Sequence, residues 1–309
     1  MVEQGVPLSE SASRQRPSRG RIAARRIVAL VVLVGGLAVA VWIVVSAVGS
    51  VGGGDEKTAK PVVPVAPPVL KIIFPEGFTR EQMAERIKAV NRIARNKRKI
   101  NPKLTSKAYL AASASSKIPA RFAKDSKRRN LEGFLFPSTY QFEPQTTSRQ
   151  LVNRQLQAFE ENWAKVDLGY AKSKNLTPYD VLIIASIVEK EVIAPEERAL
   201  VAAVIYNRLK AGMNLGIDAT TRYGLNVPPT EPLRQSQLDS SNPYNTRNEN
   251  ILGLPPTPIA NPGLASMQAA AHPAKTNYLF FVRKSDKIHH FFTASDQEFD
   301  AYLAAHGVG

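Results

Sequence analysis

Residues 177–212 read TPYDVLIIASIVEKEVIAPEERALVAAVIYNRLKAG, and this stretch decides how the rest of the chain is understood. The pattern predicts two helices. Thr177 stands where an N-cap is expected, Pro178 at the first helical position, and Asp180 where a capping-box acid closes the first turn. Val181-Leu182-Ile183-Ile184-Ala185 is too continuous an apolar face for a surface helix, which predicts a buried one. Its last turn carries Glu189 and Glu191. At about 100° per residue the two point in different directions, so at most one enters an apolar surround. A carboxyl group placed there holds its proton longer, as a general acid near neutral pH requires. The same two acids also fit a solvated helix end. The second helix runs from Pro195, with Leu200, Val204, Ile205 and Leu209 on one face, and stops at Gly212, a C-terminal glycine signal.

The basic charge of the chain is local. The formal net charge is +15 over 309 residues, yet residues 80–130 hold sixteen Lys and Arg against three acids, whereas residues 131–309 carry −2. Hydrophobic residues at 44% supply a real core, and the absence of cysteine excludes disulfides and thiolate sites.

Residues 1–26 form an arginine-rich tail ahead of Ile27–Val48, 22 uncharged residues long enough to span the roughly 30 Å hydrocarbon layer. The expectation is a single transmembrane helix over 27–49. The arginines then lie in the cytoplasm and the remainder outside, on the cell-membrane exterior. A cleaved signal peptide is the alternative, but its apolar region is shorter and no A-x-A cleavage site is evident. Residues 50–69 read as a Gly/Pro linker.

A small basic αβ module is expected over 70–130. It has a strand at Val69–Phe74, a turn at Pro75-Glu76-Gly77, and a helix capped by Thr79 with Gln82. Its runs Arg95–Lys99 and Lys127–Arg129 raise nucleic acid as a partner, which the expected topology argues against. Anionic lipid headgroups or anionic wall polymers fit better, beside the reading of a solvated basic face.

From Leu131 the composition changes. Residues 131–140, LEGFLFPSTY, read as a shaped loop, and a helix capped by Ser148 is expected over Arg149–Trp163. A long loop-rich region follows the paired helices. A short helix at Leu264–Ala271, two hairpin strands (Tyr278–Val282 and His289–Thr293) and a terminal helix close the chain. An irregular stretch that long in a compact domain is usually functional. Neither His272 nor His290 stands near acids at metal-ligand spacing, which argues against a zinc site.

Several long motifs then resemble, in order, those of the endolytic murein transglycosylase (YceG-like) family. They are LEGFLFPSTY at 131–140, ASIVEKEV at 185–192, VIYNRLKAGMNL at 204–215, Asp218 with Thr220 and Tyr223, NPYNTR at 242–247, GLPPTPIANPG at 253–263 and AAAHPAKTNYLFFV at 269–282. FPEGFTREQMAERI at 74–87 resembles the family's LysM-like module. The resemblance implies an α+β chain: one membrane helix, a small LysM-like module over 70–130, and a mixed α/β catalytic domain over 131–309. It implies a lyase that cuts peptidoglycan strands internally between N-acetylmuramic acid and N-acetylglucosamine, leaving 1,6-anhydro ends. No metal and no organic cofactor are implied. Wall synthases are implied as neighbours, with the lipid bilayer reached through residues 27–49. The family's catalytic glutamate falls on Glu189, with Glu191 as a bystander. Asp218, Thr220, Tyr244, Asn245 and Thr246 are expected either to hold sugar or to tie loops together. Three positions depart from the family pattern: Gly216 where Gln is common, Phe299 where His is frequent, and Arg222 where an apolar residue is usual. These departures leave room for a non-catalytic wall-binding scaffold. A hydrolytic muramidase would need a water-activating carboxylate, for which Glu132, Glu191 and Asp218 are available.

Overall fold

The computed structural model describes residues 68–115, 117–122 and 130–307. The expected tail, membrane helix, most of the linker and the Lys127–Arg129 run lie outside them. No helix of the described residues is long and apolar enough to cross a membrane.

The organising pair forms as the sequence predicts. Helix α5 spans Pro178–Glu191; the Thr177 hydroxyl accepts the Asp180 N–H, and the Asp180 carboxylate accepts the Thr177 N–H at 2.9 Å. Val181 to Val188 are all buried. The second member begins as a 3₁₀ turn over Pro195–Glu197 and continues as α6, Arg198–Ala211, ending on Gly212 in the left-handed conformation (φ 67°). Helix α5 lies at the centre, packed by α6, by α7 (Asp218–Leu225) and most extensively by α9 (Leu264–Ala271).

Around this centre the N-terminal elements close. Strand β1, Leu70–Ile73, pairs antiparallel with β2, Thr139–Phe142, in the register Leu70↔Phe142. The strand of the expected small module thus finds its partner beyond Leu131. Helix α1, Arg80–Arg98, carries the Thr79/Gln82 capping box and buries Met83 and Ile87; its basic last turn suits the negative end of the helix dipole. Helix α2, Ser106–Ser115, and α3, Ser148–Trp163, pack beside it. The cap of α3 is Thr147, one residue before the expected Ser148, because the Ser148 hydroxyl donates to the Thr105 carbonyl at 3.0 Å. Phe122, Phe134, Phe159 and Trp163 fill the space between with ring centroids 5.0–5.7 Å apart.

The short helix α4, Gly169–Ser173, precedes α5, and the loop-rich region after α6 contains the short helix α8, Gln235–Leu238. The hairpin forms as expected, from β3 (Phe280–Arg283) and β4 (His290–Thr293), followed by α10 (Asp296–His306). Two motifs touch each other: a Cβ on Gly133, which sits at φ 89°, would lie 2.6 Å from Pro258. Loop 253–263 is also fastened to α5 by the Ile259 N–H, which donates to Ser186 Oγ at 3.0 Å.

Candidate active site

Three distant pieces of chain meet at the end of α5. Glu189 is half-buried in its last turn, and Glu189 Oε2 accepts the backbone N–H of Gly263, the N-cap of α9, at 2.9 Å. The Pro75–Phe78 turn presses on the other side. A Cβ on Gly77 would lie 3.4 Å from Glu189 Cγ, and Gly77 itself takes the left-handed conformation (φ 74°) that glycine tolerates. The turn is pinned: the Gly77 N–H donates to the Asn261 carbonyl at 2.9 Å and the Asn261 N–H to the Phe78 carbonyl at 3.0 Å. Lys190 Nζ adds a long contact, 3.4 Å, to the Gly77 carbonyl.

This arrangement brings in a residue that the sequence did not single out. The Glu76 carboxyl occupies the space that a side chain at position 263 would take; a Cβ there would lie 1.8 Å from Glu76 Oε1. Two carboxyl groups therefore converge on Gly263, one from the turn and one from α5. Partial burial raises the Glu76 pKa, the charge of Glu189 raises it further, and Arg198 opposes both. Glu76 was legible only as a turn residue, since the contact joins segments far apart in sequence.

Glu191 points elsewhere, as the helical offset requires. It lines a cavity of about 570 Å³ with Arg208, Gly216, Asp218, Arg247 and Arg283. Burial pushes its pKa up to about 7; the Arg283 charge and a backbone N–H at Ala219 hold it down, and Asp218 raises it. Asp218 is exposed and pairs with Arg247 at 3.0 Å. The other four expected sugar contacts are buried, and their polar atoms meet partners within the fold. Thr220 Oγ1 lies 2.8 Å from Thr246 Oγ1, and the Thr246 hydroxyl accepts the Ile217 N–H. The Asn245 amide donates to the Leu238 and Ser240 carbonyls at 2.7 Å each and accepts from Thr221. The Tyr244 hydroxyl lies 2.8 Å from Thr257 Oγ1.

The three positions expected to depart from the family pattern sit in defined surroundings. Gly216 is left-handed (φ 66°), and a Cβ there would lie 2.9 Å from Arg208 Nη1. The Arg208 guanidinium stands 5.1 Å over the Phe280 ring, and Phe280 stacks on Phe299 at 5.1 Å. Gly216 and Phe299 thus belong to one wall of the cavity, built around Arg208. Arg222 donates to the Pro228 and Glu231 carbonyls and holds the loop after α7. Glu132 is buried: it accepts the Arg80 N–H, the Asn261 amide at 2.8 Å and the Tyr223 hydroxyl at 3.2 Å. His290 is likewise buried, its Nδ1 2.6 Å from Glu197 Oε2, whereas His272 is exposed.

A relative named endolytic murein transglycosylase from Streptococcus pneumoniae R6 is 32% identical over 276 residues, 82% of this chain and 46% of the relative. One of the same name from Bacillus subtilis 168 is 36% identical over 156 residues, 50% of this chain and 42% of that one. The chain spans about half the length of the curated relatives it matches. The crystal structure of a yceG-like protein from Listeria monocytogenes matches with a TM-score of 0.63 at 29% identity, over 75% of each chain. The YceG-like family model matches residues 57–305, and this chain belongs to that family.

Proposed function

We propose that the chain is an endolytic lytic transglycosylase that cuts peptidoglycan glycan strands between N-acetylmuramic acid and N-acetylglucosamine. The observation that carries this reading is the placing of Glu189 at the junction of the 75–78 turn, α5 and the 261–263 loop, in a chain whose relatives bear that name. In the reaction Glu189 protonates the bridging oxygen and positive charge develops at the anomeric carbon. The muramic acid's own 6-hydroxyl then closes on that carbon to form the 1,6-anhydro ring, and the Glu189 carboxylate takes the hydroxyl proton. The nucleophile is already in the substrate, so its effective concentration is high and no water-activating base is needed. Asp218 offers the exposed polar contact among the expected sugar ligands, while Thr220, Tyr244, Asn245 and Thr246 shape the loop behind it. The rest of the reading follows the sequence: an anchor at 27–49, a cytoplasmic tail, and a LysM-like basic module near anionic lipid or wall polymer. The cutting domain then works outside the cell beside wall synthases, releasing or ending growing strands.

A second reading has an observation in its favour. Two carboxyls at one site, Glu76 and Glu189, also suit a hydrolase. Incubating the full-length chain with uncrosslinked glycan strands, and reading the new ends by mass spectrometry, separates the cases. Anhydro ends are expected; reducing ends would replace the lyase with a hydrolase, and intact strands with folded protein would make the chain a scaffold. Glu189→Gln is expected to abolish cleavage with an unchanged melting temperature, and retained cleavage would remove Glu189 from the catalytic role.

A further inference from the structure

Resting on that reading of Glu189, we infer that Glu76 is a positioning residue of the same site: its carboxyl stands beside Glu189 across Gly263 as a second negative charge. The geometry carries this. The Gly263 N–H holds Glu189 Oε2 at 2.9 Å, and the Glu76 carboxyl fills the place of the missing Gly263 side chain, its Oε1 and carboxyl carbon 1.8 and 2.2 Å from where a Cβ would stand. Glu76 is exposed, but the backbone that carries it is fixed. The turn carrying Glu76 is tied by backbone hydrogen bonds to Asn261, two residues before Gly263. Position 263 has an ordinary backbone (φ −78°), so its glycine is explained by the space the Glu76 carboxyl needs and not by conformation.

Two like charges brought to one site disfavour double ionisation. Partial burial first, and the Glu189 charge second, raise the Glu76 pKa, while Arg198 lowers it. The charged groups that face the pair from neighbouring elements are Arg198, at the start of α6, and Lys190, on α5. Arg198 Nε is buried with no hydrogen-bond partner among the described residues, which leaves a cation beside the pair. In the proposed reaction the proton passes from Glu189 to the bridging oxygen. The electron pair of the broken bond stays with that oxygen, and the proton of the 6-hydroxyl returns to Glu189 as the new ring bond forms. No external base or water is consumed. The second negative charge supplied by Glu76 faces the positive anomeric carbon and strengthens Glu189 as the base of the closing step.

The test is the pH profile of anhydro-end formation by the full-length chain and its Glu76→Gln variant. The alkaline limb of the variant is expected to move down by roughly one pH unit. Some activity should remain at acid pH, and the melting temperature should not change. Glu76→Asp should restore much of the limb. An unmoved limb would overturn the pairing. So would loss of activity at every pH in folded Glu76→Gln protein, because that outcome makes Glu76 an essential proton donor or base in its own right. Failure of the underlying reading looks different: the parent chain would yield no anhydro ends, or Glu189→Gln would keep its activity.

Discussion

A methyl group at position 263 would stand 1.8 Å from Glu76 Oε1 while leaving the backbone N–H of the residue free to bind Glu189. Gly263→Ala therefore separates the two roles of that residue. Alanine suits the backbone there, so the variant is expected to fold with a melting temperature within a few degrees of the parent. The Glu76 carboxyl must swing aside, and cleavage is expected to fall by about tenfold or more, since small misplacements at a reacting centre are costly. An unchanged rate of anhydro-end formation would show that the carboxyl is not needed in that place. Gly77 makes a contrasting case: its space is adequate, with Glu189 Cγ at 3.4 Å, but its φ of 74° strains any other residue. The same distinction between space and backbone marks Gly216, where both apply.

At the scale of elements, α5 is held at its start by side-chain caps and at its end by contacts from other segments. Thr177→Ala removes the cap and is expected to cost about 1 kcal/mol, read from the denaturant midpoint, without changing the rate per folded molecule. The wall of the cavity beside Glu191 answers differently. Gly216→Ala meets both the left-handed backbone and Arg208, so a loss of about 1–2 kcal/mol is expected, with the Arg208 guanidinium displaced from Phe280. A midpoint equal to the parent's would mean that the guanidinium moves freely. These elements also divide what the sequence disclosed from what it concealed. The ends of α5 and α6 were legible because Thr177, Asp180 and Gly212 act on backbone within a few residues. The cap of α3 was misplaced by one residue because the Ser148 hydroxyl turns to Thr105, 43 residues away. The place of Glu189 in the last turn of an apolar helix was legible in the periodicity. Glu76 and the β1–β2 pairing were not, because nothing local in a Pro-Glu-Gly turn or a short strand names its distant partner.

On the scale of the whole described unit, Glu132 and Asn261 form the joint that fixes the N-terminal elements against the α5 core. Glu132 accepts the first N–H of α1 through Arg80, the Asn261 amide and the Tyr223 hydroxyl of α7; Asn261 also donates its amide to the Phe78 carbonyl and accepts the Leu135 N–H. The position of the Glu76 turn over Glu189 thus depends on a buried acid that does not itself touch Glu189. Burial pushes the Glu132 pKa up to about 8, against the Arg80 charge and hydrogen bond that lower it. The folded state therefore binds a proton that the unfolded chain releases near pH 4.5. Its contribution to stability is complete below that pH, declines as pH rises, and is lost above about 8. Glu191, raised to about 7, adds a slope of the same sign over the lower part of that window. Urea midpoints are accordingly expected to fall from pH 5 to pH 8. Glu132→Gln cannot ionise and keeps an acceptor for the Arg80 N–H, so its midpoint should fall less over the same range, the remaining slope belonging to Glu191 and the other titrating groups. Equal slopes in the two proteins would mean that Glu132 is already ionised in the folded chain at pH 5, and that the joint is held by a charge and not by a protonated acid.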